Sequence, residues 1–277
     1  MGRLVRAALL LVVLAVMHGT AFGRGESLDI CRYRLVFSED FHDFSIASRA
    51  LGNGRWTAHT PWNGDFGDAS FSDPGPGGPF SVVDGELHIT ASRSASGQWK
   101  SGLMAAADES GRGEGVQYGY FEAKMRMPPG PGTWPAFWLS SLKPVSEKLP
   151  GVEVDVIEYY GHDDTNYMSA LHVWYPQGQQ DRSQHATTPI QVPHGSLVGA
   201  YHTYGVLVEP TRMTWFLDRV AVWERPTPPE HQFPLYPMVD LALGSGYPIS
   251  DTPNPSVLKV KYVRVYAPGH PASCARD

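Results

Sequence analysis

Short runs of β-branched and aromatic residues, broken by Gly, Pro, Asn or Asp, occupy almost the whole chain. They fall at 33–37, 80–83, 86–92, 119–127, 136–139, 153–158, 168–174, 201–209, 212–217, 220–224, 236–242 and 257–266. Runs bounded in this way predict strands. Asp84-Gly85 between two of them reads as a tight hairpin, and Asp218-Arg219 joins another pair. No segment sustains the apolar spacing of a long amphipathic helix. Many short strands without intervening helices predict an all-β sandwich or barrel. The proline- and glycine-rich stretches 74–79 and 128–132 are loops, because strand-like runs flank them closely. The polar stretch 177–199 is expected to be a long loop, an element that is often functional.

The first residues follow another pattern. Arg3 and Arg6 precede an unbroken apolar stretch, 7–16, and Ala21-Phe22-Gly23 supplies small residues after it. This reads as a signal peptide over 1–23, too short to span a bilayer, which needs about 20 apolar residues. The expected localisation is secreted, periplasmic or extracellular. Residues 24–277 then form a single domain, a size that an all-β sandwich commonly reaches.

Composition narrows the class. Hydrophobic residues make up 42% of the chain, enough for a sizeable core, and the 29 Gly and 24 Pro fit many turns. A net charge of -6 and the lack of any Lys/Arg run argue against nucleic acid as partner. No membrane partner is expected, and the protein is expected to be a monomer. The two cysteines, Cys31 and Cys274, lie at opposite ends of the mature chain. In an oxidising compartment a bridge between them is chemically allowed, and sequence leaves open whether the sulfurs meet.

The chemistry concentrates in Gly151-Val-Glu-Val-Asp-Val-Ile-Glu158. Residues two apart on a strand share a face, so Glu153 and Asp155 point one way and Val154 and Val156 the other. Strict alternation would put Glu158 on the apolar side, where an unpaired carboxylate is costly. A β-bulge near Val156-Ile157 would return Glu158 to the acidic face. Three acids on one face raise the pKa of at least one. Acid/base glycoside hydrolysis needs that combination, one ionised carboxylate beside one carboxylic acid. Four strand steps separate Glu153 from Glu158 by about 13 Å at the Cα atoms. Glutamates leaning inward over a concave sheet would bring the carboxyls to about 5–5.5 Å. A solvated face and a divalent-cation site remain open from the acids alone, although hard cations prefer ligands on flexible loops.

The strand and its surroundings resemble glycoside hydrolase family 16. Its Glu-x-Asp-x-x-Glu signature matches Glu153, Asp155 and Glu158. Tyr118-Gly-Tyr-Phe-Glu-Ala-Lys124 followed by Gly132-Thr-Trp-Pro-Ala-Phe-Trp138-Leu139 is similar to its glycine-and-tryptophan segment. Leu35–Phe41 and Lys261–Tyr266 look like its opening and closing strands. The likeness spans roughly residues 33–267, more than an isolated motif would. It implies a jelly-roll β-sandwich of two antiparallel sheets with a concave substrate cleft, and endo-acting, retaining cleavage of β-linkages in a polysaccharide such as a β-glucan or bacterial exopolysaccharide. Carried over, Glu153 is the nucleophile, Glu158 the acid and then the base, and Asp155 the residue between them that tunes both.

Aromatic side chains in a cleft can cover the apolar face of a sugar. Trp134 and Trp138, four apart and so on one face of a strand, are the leading substrate-binding candidates, with His172 from the next strand. Trp62, Trp99, Trp174, Tyr175 and Tyr247 are secondary candidates. The chain departs from the family at Leu149-Pro150-Gly151, where many members carry a tryptophan platform, and at Asp240-Leu-Ala, usually Asn-x-Ala. It also has Lys261 where many members place an aspartate ligand of structural Ca²⁺. No metal site and no cofactor are therefore expected. A transglycosylase on the same scaffold and a non-catalytic, lectin-like sandwich are the alternatives, and the intact acid triad argues against the second.

Overall fold

The computed structural model describes residues 25–62 and 64–270. The signal-peptide segment and Cys274, the expected partner of Cys31, lie outside the described residues.

Two sheets, mostly antiparallel, pack face to face. One sheet has eight strands, in the order Gln184–Gln191, Asn166–Trp174, Gly151–Glu158, Thr133–Ser141, Leu235–Leu243, Leu103–Ala105, Trp56–Thr57 and Ile46–Ala47. The ten-stranded sheet behind it is centred on Gly119–Arg126 between His202–Val208 and Ser256–Pro268. Tyr33–Glu39 joins the last of these at one edge. The crossing order, with strands early in the chain beside late ones, is that of a jelly-roll sandwich.

Alternation along the central strands builds the core. Val152, Val154, Val156 and Ile157 meet Phe121, Ala123, Met125, Val206, Trp215, Val263 and Val265 from the opposite sheet. Each of these larger side chains contributes about 1.5–3 kcal/mol by leaving water. A second apolar cluster covers the other face of the eight-stranded sheet. There Trp138, Tyr236, Met238 and Ala242 pack with Phe66, Phe71 and Trp134. Strand Leu235–Leu243 is covered on both faces and buried at every position. The hairpins form where the sequence placed them, and Asp84, Gly85, Asp218 and Arg219 all have positive φ. Arg219 holds its unusual backbone through two bonds to buried Glu122, 2.9 and 3.0 Å long.

One expectation is corrected. The stretch 177–199 contains a strand, Gln184–Gln191, paired along its length with Asn166–Trp174. It is a polar, mostly exposed strand at the sheet edge and contains Pro189. Edge strands are held by backbone bonds on one side, tolerate proline and need no apolar face, so a hydrophobic pattern does not reveal them.

Candidate active site

The floor of the site is the eight-stranded sheet, and its centre is the strand Gly151–Glu158. Its bulge lies where charge placement required one. Against Thr133–Ser141 the register steps from Asp155 opposite Trp138 to Ile157 opposite Phe137, leaving Val156 extra. Against Asn166–Trp174 it steps from Asp155 opposite Ala170 to Glu158 opposite Met168. Val156 and Ile157 therefore both enter the core, while Glu158 returns to the face of Glu153 and Asp155. Side chains secure the bulge. Ser169 Oγ donates to the Val156 carbonyl at 2.9 Å, and Trp215 Nε1, reaching across the core, donates to the Asp155 carbonyl at 3.0 Å.

Glu153, Asp155, Glu158 and Asp240 line a cavity of about 180 Å³ with Trp62, Phe66, Trp134, Ala136 and Trp138. It adjoins a larger space of about 500 Å³, reached past Glu153 and Trp174 and bounded by Trp62, Tyr175 and Tyr236. Each outer glutamate is held by an indole. Trp134 Nε1 donates to Glu158 Oε1 at 3.0 Å, and Trp174 Nε1 donates to Glu153 Oε2 at 3.1 Å. Tyr160 adds a second donor to Glu158 Oε1, also at 3.0 Å. Trp134 stacks on Tyr160, which leads on to Tyr247 and His162 and forms an aromatic wall beyond Glu158.

Electrostatics set the protonation order. Asp155 is 5% exposed, and burial with the Glu158 and Asp240 charges pushes its pKa well above the carboxylate range. Burial, then Asp155, pushes Glu153 up to about 8, opposed by His172 and the Trp174 N–H. Asp240 is pushed up to about 8 by burial, although Trp138 Nε1 and the Ala242 N–H both donate to it. Like charges buried together cannot all ionise. Asp155, the deeper of the first pair, keeps a proton. Once it is neutral, Glu153 loses its nearest like charge and retains two partners that favour its ionised form.

The structure brings together Glu153, Asp155, Glu158, Trp134, Trp138 and His172. Trp138 is 5% exposed, and its indole is committed to Asp240, so it supports the floor rather than offering an open face. His172 places Nε2 3.2 Å from Asp155 Oδ2. Trp62, Trp174 and Tyr247 stand exposed at the rim, whereas Trp99 lies in the core and takes no part. Tyr160, His185 and the contact made by Asp240 were not anticipated. Tyr160 follows Glu158 by two residues, a spacing that could have signalled it.

Residues 78–264 match the model for glycosyl hydrolases family 16. The chain belongs to that family. It is 26% identical to the endo-1,3-1,4-beta-glycanase EglC of Rhizobium meliloti over 91% of its length, and 27% identical to ExsH of the same organism over 87%. It spans about half the length of these relatives, 55% and 53% respectively. The laminarinase catalytic domain of Thermotoga petrophila shares the fold, with a TM-score of 0.65 and 20% identity over 85% of this chain and 98% of that one. The non-specific endo-beta-1,3(4)-glucanase SCLam also shares it, with a TM-score of 0.67 and 20% identity over 88% and 95%. The calcium ligands seen in many members do not fit here, because the Lys261 ammonium lies 3.3 Å from Glu86 and over the ring of Tyr201.

Proposed function

We propose that the protein is an endo-acting, retaining glycoside hydrolase that cuts a β-1,3- or mixed-linked glucan. The observation that carries this reading is the pair Glu153 and Glu158, on one strand and facing one cavity, each held by a tryptophan, with buried Asp155 between them. Ionised Glu153 attacks the anomeric carbon while Glu158 protonates the departing oxygen. Glu158, now a carboxylate, then takes a proton from the water that releases the glycosyl-enzyme. Asp155 keeps its proton between them and so limits the negative charge of the trio.

The aromatic wall of Trp134, Tyr160 and Tyr247 on one side, and Trp174 with Trp62 on the other, gives sugars apolar contact either side of the cut. That supports cleavage within a chain rather than at its end. The glycanase names of the relatives support the linkage class. The basic and apolar start of the sequence supports action outside the cytoplasm. Reducing-end release from a panel including laminarin and mixed-linkage β-glucan tests the reading. Release by wild type and loss in Glu153→Gln supports it. Transfer products in place of hydrolysis would point to the transglycosylase, and binding without cleavage to the lectin-like sandwich.

A further inference from the structure

We propose that Glu153, Asp155 and His172 form a binding site for a borderline divalent cation such as Zn²⁺, whose occupancy shuts the catalytic cleft. One ligand atom from each lies within 4.8 Å of the other two. Zinc bonds of about 2.0–2.2 Å place tetrahedral ligand atoms about 3.3 Å apart, so the site closes with a small swing of the glutamate side chain. The backbone already aligns the parts. Glu153 stands directly opposite His172, and His172 directly opposite His185, in one row across three strands. On the strand that carries His172, Asp155 faces the small Ala170, which leaves room beside it for the His172 ring.

Two further observations point to a ligand. Asp155 Oδ2 is buried and accepts no hydrogen bond, and His172 Nε2 at 3.2 Å is near enough to pair but off hydrogen-bond geometry. A buried carboxyl oxygen without a hydrogen-bond partner is costly and calls for one. The second observation is the contact of His172 Nδ1 with His185 Nδ1, 2.7 Å apart. Two ring nitrogens this close share one proton. When that proton sits on His172, its Nε2 is a bare lone pair turned toward the acids, and His185 is the outer acceptor that orients a metal-binding histidine. Trp174 stacks on His172 at 5.4 Å and 25°, fixing the ring plane.

The donor set selects the ion. One imidazole nitrogen and two carboxylates suit Zn²⁺ or Cu²⁺, whereas Ca²⁺ and Mg²⁺ need six or more oxygens. Three protein ligands leave a fourth position for water. A cation here takes the place of the Asp155 proton and offsets the charge of both carboxylates. Bound metal would occupy the Glu153 carboxylate and stop its attack, a consequence that rests on the proposed function; the binding itself does not.

Calorimetric titration of the full chain with ZnCl₂, and separately with CaCl₂, tests the site. Wild type should bind one Zn²⁺ saturably and no Ca²⁺. His172→Gln should weaken Zn²⁺ binding at least tenfold, and His185→Gln, on the exposed edge, about 10-fold through loss of the outer acceptor. Melting curves show that each variant is folded, and if His172→Gln is not, His185→Gln carries the comparison. Absence of saturable binding, or unchanged affinity in the folded variants, overturns the proposal. Zinc binding by a wild type that cleaves no glucan would leave the metal site standing and remove the proposed function instead.

Discussion

The indole Nε1 of Trp174 donates to Oε2 of Glu153 at 3.1 Å, while 45% of the Trp174 residue remains exposed at the rim. One side chain thus lines the substrate groove and steadies a carboxylate. A hydrogen bond to the charged form favours ionisation, so its loss raises the pKa. Burial already pushes Glu153 up to about 8, so the acid limb of kcat/KM should lie well above the usual carboxylate range. Trp174→Phe keeps the ring and removes the donor, and should move that limb to higher pH. Asp155→Asn replaces one neutral neighbour with another and should move the limb far less. A limb near pH 4.5 in wild type, unmoved by Trp174→Phe, contradicts this account.

Glu158 Oε1 receives two donors, Trp134 and Tyr160. A hydrogen bond to a charged group is worth about 1.5–3 kcal/mol, or about 10–100-fold in rate where it acts in the transition state. Trp134→Phe and Tyr160→Phe should each lower kcat/KM within that range. Because both donors share one oxygen, their effects should not add in the double variant. Steady-state kinetics of the two single variants and the double variant provide the check.

Stability should fall as pH rises. Glu153, Asp155 and Asp240 all have folded pKa values above their ordinary ones. The folded chain therefore holds protons that the unfolded chain releases, and the slope of unfolding free energy with pH is negative. The loss begins above the unfolded values, near pH 4, and continues to about 8. Melting temperatures measured from pH 5 to pH 9 should decline, and Asp155→Asn should flatten the decline. A steeper decline in that variant would show the sign to be wrong.

The bulge depends on few bonds. Ser169→Ala removes the donor to the Val156 carbonyl, inside the protein, and should cost about 1–3 kcal/mol. Deleting Val156 removes the extra residue and restores strict alternation with Ile157 still in the core and Glu158 still facing the acids, so the variant should fold with the loss of one buried side chain. Chemical denaturation measures the first and soluble yield the second.

The central strands, the sandwich and the bulge were legible in the sequence. Alternation marks a strand with one dry face, and the cost of burying Glu158 marks the place where alternation must slip. Strand Gln184–Gln191 was hidden because an edge strand is held by its backbone. With it went His185, whose only signal is its register opposite His172. Asp240 and Trp138 meet across two strands 102 residues apart in the chain, a pairing that no local pattern encodes. Trp99 and Trp174 look alike in the sequence, yet one lies in the core and the other at the groove, because that choice depends on which sheet covers them.

The central claim is that Glu153 and Glu158 carry out a double displacement on a β-linked chain. Proton NMR of the first reducing ends released, before they mutarotate, tests it most directly. The account predicts the β anomer from a β-glucan, with no signal from Glu153→Gln or Glu158→Gln. The α anomer as first product, or near wild-type release by either variant, would contradict it.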